Sequence, residues 1–72
     1  MKLLIFRTDI ENKNNVKTLK PLFNDHSSII NWSIDLEDVD KVLKVEAIEN
    51  LNEKDIANLV SLNGFSCESL PD

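Results

Sequence analysis

The sequence predicts an α+β fold whose elements follow in the order β-α-β-β-α-β. Two segments carry apolar residues at helical spacing, and four short segments have the patterns of strands. Amide residues precede each helical segment, and the single glycine, Gly64, follows the second one. With 72 residues, of which 42% are hydrophobic, we expect a single domain over residues 1–72 with a small core.

The first strand is predicted over residues 2–8 and is apolar on both faces, as a central strand can be. The helix that follows carries apolar side chains at helical spacing, namely Val16, Leu19, Leu22 and Phe23. Either Asn12 or Asn14 can cap it, because a side-chain oxygen there accepts a hydrogen bond from an unpaired backbone N–H. Pro21 removes one backbone donor and predicts a kink or a tight last turn.

The next two strands are predicted to pair as a hairpin, because only residues 37–40 separate them. In the first of these strands, apolar side chains alternate with polar ones and are expected to face the core: Ile30, Trp32, Ile34 and Leu36. The returning strand alternates in the same way through Leu43, Val45 and Ala47.

The second helix has the clearest predicted ends. Asn52 is a good N-cap, and Asp55 three residues later forms a shortened capping box. Gly64 lies where a left-handed C-terminal cap is needed, and Phe65 can fold back onto the helix. A last strand is predicted over residues 65–70. This order of elements is the ferredoxin-like βαββαβ sandwich, a four-stranded antiparallel sheet with both helices on one face.

Composition argues against several classes of partner. The formal net charge of −5 opposes binding to nucleic acid and to anionic lipid. No run approaches the roughly 20 apolar residues of a membrane span, and the apolar start is too short for a signal peptide. The single cysteine, Cys67, leaves no internal disulfide and no cysteine cluster for zinc. A reducing, cytoplasmic compartment is expected.

Four stretches keep a joint spacing that is typical of one family: Trp32–Asp35, Asp40–Val45, Leu51–Ile56 and Leu62–Phe65. Over about residues 2–70 the chain resembles the heavy-metal-associated domains of copper chaperones and metal-pumping ATPases. Those domains hold a soft ion with a Cys-x-x-Cys pair after the first strand, and the matching positions here are Asn12 and Asn15. By the same resemblance, Ile10 matches a buried methionine before the metal loop, and Val16 and Cys67 match core positions.

The resemblance implies a metal site that has lost its ligands. Monovalent copper selects thiolate and thioether ligands, and an amide cannot become a thiolate. We therefore interpret Asn12 and Asn15 chiefly as helix-capping positions, with a role in holding another metal or in partner contact as the alternatives. No tight copper binding and no cofactor are expected.

Three other features are weaker candidates. The acidic run over residues 35–40 could attract calcium, but it has Val39 where an oxygen ligand belongs and lacks the glycine of a calcium loop, so a solvated turn is expected. His26 is interpreted as a surface-loop histidine. Cys67 is interpreted as a small core residue, because a nucleophile needs a nearby base.

The predicted fold supports many functions, so it decides none of them. RNA binding is disfavoured, because the third strand has no aromatic residue on which a base could stack. Phosphate chemistry of the acylphosphatase type is disfavoured, because Arg7 is the only arginine. An amino-acid sensor of the ACT type stays open. No enzymatic constellation is present, and we expect a non-catalytic binding module with a protein-interaction or regulatory role. The main alternative is a metal-ion chaperone or sensor with ligands other than cysteine.

An interaction surface is predicted on the face of the sheet away from the helices. Neighbouring side chains on a strand face opposite ways, which places Leu3, Ile5 and Val42 on that open face. An apolar patch there is expected to contact a protein partner or a second copy of the chain.

Overall fold

The computed structural model describes residues 1–70 and confirms the predicted fold class. Its elements are β1 (Lys2–Thr8), α1 (Lys13–Asn24), β2 (Ile29–Asp35), β3 (Val42–Ala47), α2 (Glu53–Leu62) and β4 (Cys67–Ser69). The four strands form one antiparallel sheet in the order β2-β3-β1-β4. Neither helix in this part of the chain is long and apolar enough to cross a membrane.

Strand β1 lies in the middle of the sheet, as its two apolar faces predict. Its first five residues pair with β3, and its last three pair with β4. The loop that leaves β1 therefore begins at the end of a strand held on both sides.

The core lies between the sheet and the two helices. Its buried apolar residues are Leu4, Phe6, Ile10, Leu19, Phe23, Leu43, Val45, Ala47, Leu51, Ile56 and Val60. Trp32, Ile34 and Cys67, which the alternation of the strands also places inward, are partly buried against this cluster. The predicted pleat of the strands is thus present.

One residue of β2 departs from the prediction. Ile29 pairs with Ala47 and Asn31 pairs with Glu46, so Ile30 is an extra residue between two pairs, a β-bulge. Its side chain is 50% exposed, and Ile29 packs against the core instead. The prediction that Ile30 faces the core is wrong, because a bulge breaks the alternation on which it rested.

Both ends of α2 have the caps that the sequence predicts. Asn52 and Asp55 exchange hydrogen bonds in a capping box at 3.0 and 3.1 Å. Gly64 has a φ of 88°, and the N–H of Phe65 reaches back to the carbonyl of Val60 at 3.4 Å. Strand β4 covers only Cys67–Ser69, which is shorter than the predicted 65–70.

The C-terminal end of α1 is attached to β2. The helix continues through Pro21 to Asn24. The rings of Phe23 and Trp32 pack with their centroids 5.0 Å apart, and Trp32 Nε1 donates to Asn24 Oδ1 at 3.0 Å. These contacts fix the position of the C-terminal end of α1 along β2.

Candidate functional site: the loop after β1 and the open sheet face

Thr8 anchors the start of the loop between β1 and α1. Its side chain is buried, and its Oγ1 donates to the carbonyl of Lys41 at 2.6 Å. The same oxygen accepts from the N–H of Ile10 at 3.3 Å. Sequence reasoning missed this role, although Thr8 continues the inward series of Leu4 and Phe6 and so invited the question of what a buried hydroxyl would bond.

The loop is tied down at two further points. Asp9 Oδ1 accepts from the N–H of Ser66 at 2.7 Å, which joins the loop to the segment before β4. Ile10 is fully buried in the core, as its family match implied. The loop backbone is therefore held by the sheet on one side and by the core below.

Asn12 and Asn15, which the resemblance matches to ligand positions, lie at the start of α1. Asn12 is the N-cap: its backbone is extended and its Oδ1 accepts from the N–H of Asn15 at 3.0 Å. The carbonyl of Asn12 also accepts from the N–H of Val16 at 3.2 Å. Asn12 thus makes the capping bond predicted for Asn12 or Asn14, and Asn15 supplies the backbone donor.

The thiol of Cys67 lies on β4, close to the start of the loop. Cys67 pairs with Thr8 at the same end of the sheet as the loop and is half-buried. Burial raises the pKa of this thiol from 9.0 to about 11 and so disfavours the thiolate. Within residues 1–70, histidine, cysteine and acidic side chains form no group of three or more that could hold a metal ion.

The acidic run after β2 uses its carboxylates within its own turn. Asp35 Oδ1 accepts from the N–H of Glu37 at 3.1 Å, and Asp38 Oδ1 accepts from the N–H of Asp40 at 2.9 Å. Asp40 also forms an ion pair with Arg7 at 3.3 Å. These bonds match the expected turn and give the carboxylates a structural role in it.

His26 lies in the loop between α1 and β2, as predicted. Its Nδ1 accepts from the N–H of Ser28 at 3.2 Å, and the residue is partly buried. The ring therefore orders the short loop that leads into the edge strand.

The three predicted patch residues differ in exposure. Leu3 is 54% exposed, whereas Ile5 and Val42 are partly buried. On the neighbouring strand β3, Leu3 lies opposite Glu46 and Ile5 lies opposite Lys44. Of the three predicted residues, Leu3 is therefore the most exposed, and it has charged residues beside it.

Two shallow depressions adjoin Leu3. One has a volume of about 170 Å³ and is lined by Leu3, Asn31, Trp32, Ser33, Lys44 and Glu46. The other has a volume of about 200 Å³ and is lined by Met1, Lys2, Leu3 and Glu46. Leu3 therefore lines both depressions.

Comparison with known proteins gives a likeness in structure. No protein-family model matches the chain, and no curated protein matches its sequence. A chain from the solution structure of the Atx1–Cu(I)–Ccc2a complex superposes with a TM-score of 0.85 at 18% identity, covering 100% of this chain and 99% of the other. A chain from a structural study of crosstalk between Cu(I) and Zn(II) homeostasis superposes with a TM-score of 0.82 at 6% identity, covering 97% and 100%. At these identities the likeness establishes the fold, over the full length of both neighbours.

Proposed function

We propose that this chain is a small, non-catalytic protein-binding module of the heavy-metal-associated type, in which the former metal loop serves as a helix start. The observation that supports this most directly is the bond from the N–H of Asn15 to Asn12 Oδ1 at 3.0 Å. The amide at the first ligand position is engaged in capping α1, and neither position offers a thiolate for monovalent copper.

The proposed docking surface is the open sheet face around Leu3, Ile5 and Val42. Leu3 projects between two depressions, and the charged residues Lys44 and Glu46 lie beside it. An apolar centre with a polar rim is the usual arrangement of a non-obligate protein interface. Partner binding is supported further by the Atx1–Cu(I)–Ccc2a structure, in which a protein of this fold is found in a complex.

Quantitative affinity capture from an extract of the source cells tests this surface. The bait is the native chain, Leu3→Glu, or the matched control Leu62→Glu, which changes a leucine that is 84% exposed on α2. We expect the proteins retained by the native chain to be lost with Leu3→Glu and kept with Leu62→Glu. Equal retention by all three baits, or equal loss with both variants, would contradict docking at the open face.

A metal-ion chaperone or sensor with ligands other than cysteine is the second candidate. It is favoured by the likeness to chains from structures concerned with copper and zinc. Titration with zinc, followed by amide NMR shifts, separates the two functions. The proposed module predicts no saturable shift in residues 9–16, whereas saturable shifts there at micromolar zinc would favour the metal-binding function.

A further inference from the structure

Strand β2 is an edge strand with a free backbone side. It pairs with β3 alone, because the strand order places it at one margin of the sheet. Within the described residues, the main chain of residues 30–35 makes no hydrogen bond beyond its ladder with β3. One side of the strand therefore presents unpaired N–H and C=O groups.

The two edges of the sheet are protected to different degrees. Natural edges are shortened, bulged, or provided with lysine or proline, because an open edge pairs with other chains. Strand β4 has only three residues, whereas β2 has seven and contains no lysine, arginine or proline. The bulge at Ile30 interrupts the start of β2 and leaves a regular run over Asn31–Asp35.

We propose that two copies of this chain pair through β2, antiparallel and related by a two-fold axis at Ser33. In this register Trp32 lies opposite Ile34 of the second copy, and Asn31 lies opposite Asp35. Aromatic residues pair favourably with β-branched ones, and an amide can donate to the carboxylate across from it. No two like charges oppose each other, so the regular run of β2 is complementary to itself.

The charges at the end of α1 favour the same pairing. Asp25 caps this helix at its C-terminus, where the dipole is negative, and the last turn has no basic residue. Lys20 lies one turn before Asn24 on the same side of the helix, and Asn24 is bonded to Trp32 on the edge strand. In the proposed register the two α1 helices run antiparallel on one side of the sheet, so Lys20 of each copy lies near the level of Asp25 of the other.

The pairing extends the sheet across both copies and keeps all helices on one side. The open face with Leu3 stays uncovered and is presented twice. The dimer therefore does not depend on the proposed docking function, and either can fail without the other.

Sedimentation equilibrium from about 10 μM to about 1 mM chain tests the pairing. Asn31→Asp places one carboxylate opposite Asp35 in each of the two symmetric pairs of the dimer. Asn31→Asp combined with Asp35→Asn restores complementarity, and the asparagine still accepts the turn bond from the N–H of Glu37. Asn58 is exposed on α2, so Asn58→Asp carries the same charge change as Asn31→Asp at a distant site and serves as the matched control.

We expect a concentration-dependent dimer whose Kd rises about tenfold in Asn31→Asp, because each dimer gains two like-charge pairs. The double variant is expected to return to within about twofold of the native Kd, and Asn58→Asp to match the native chain. Trp32 emission should shift to the blue on association, since the partly exposed ring at the edge becomes covered. A chain that is monomeric at every concentration would overturn the proposal. So would a dimer that ignores Asn31→Asp, or one that is lost only in Leu3→Glu.

Discussion

At the scale of single residues, Asn12 caps the N-terminus of helix α1. Its side-chain oxygen accepts from the N–H of Asn15, so it provides the cap that begins α1. Asn15 takes part through its backbone, and its side chain is not needed for that bond. Asn12 and Asn15 therefore contribute differently to the fold.

Replacement of each asparagine by alanine separates these contributions. Asn12→Ala should lower the free energy of unfolding by about 1 kcal/mol, because the cap is lost. Asn15→Ala should have an effect close to zero or slightly stabilising, since alanine is the better helix former. Urea denaturation of the two variants measures the difference, and an equal loss in both would contradict the assignment of Asn12 as the cap.

Cys67 gives a prediction about pH. Its pKa in the folded chain is about 11 against 9.0 for an unperturbed thiol, so the unfolded chain releases the proton first as the pH rises. The contribution of this thiol to stability is complete below pH 9.0 and is lost as the pH passes through about 11.

Alkylation by iodoacetamide and unfolding at several pH values measure both aspects of Cys67. The alkylation rate of the folded chain should keep rising with pH beyond 9.0, because only the thiolate reacts. Cys67→Ser should remove the part of the stability loss that this thiol causes between pH 9.0 and 11. A rate that reaches its plateau below pH 9.0 would show that the thiol is not shielded by burial.

At the scale of elements, a helix end is determined locally where a residue of special conformation, such as Gly64, is present. Gly64 ends α2 with a φ of 88°, a conformation that side chains with a Cβ rarely adopt. Apart from Gly64 itself and its two chain neighbours, no heavy atom of the described residues lies within 4 Å of the position that an added Cβ would take. A substitution there consequently tests backbone conformation without a steric clash.

Gly64→Ala should destabilise the chain by about 1 kcal/mol, because alanine is strained at this φ. Gly64→Asn should cost less, since asparagine tolerates the left-handed region. Thermal unfolding of both variants provides the comparison. Equal stability of the native chain and the alanine variant would contradict the left-handed cap.

Strand β1 offers a matched pair of leucines on its two faces. Leu3 is 54% exposed on the open face, and Leu4 is 7% exposed in the core. Leu3→Glu should change the free energy of unfolding by no more than about 0.5 kcal/mol. Leu4→Glu buries a carboxylate and should unfold so small a domain. Circular dichroism of the two variants checks the pleat, and similar behaviour would refute the assignment of faces.

The sequence correctly predicts the parts of the fold that depend on residues close to one another in the chain. Helix ends follow from Asn52, Asp55 and Gly64, and strand faces follow from alternation. The bulge at Ile30 and the bonds of Thr8 depend on residues of β3 that are distant in sequence, so no local pattern reveals them. The sequence predicts an asparagine cap before α1, whereas the choice of Asn12 over Asn14 depends on the geometry.

At the scale of the whole molecule, the fold is that of chains found in copper-related structures, although identity is 18% or less. The loop after β1 remains fixed by Thr8, Asp9 and Ile10, which bond or pack against the sheet and core. The proposed function therefore implies that this loop has the backbone of a metal loop and differs from one only in its ligands. This claim predicts that two thiols can restore the site.

Anaerobic titration with monovalent copper against a competing chelator tests this claim most directly. The native chain is expected to take up no copper at sub-micromolar free metal. The variant with Asn12→Cys and Asn15→Cys is expected to bind one ion per chain while remaining folded, with a stability loss of about 1 kcal/mol from the missing cap. Stoichiometric uptake by the native chain would contradict the account, and a folded double variant that binds no copper would show that the loop geometry has changed as well.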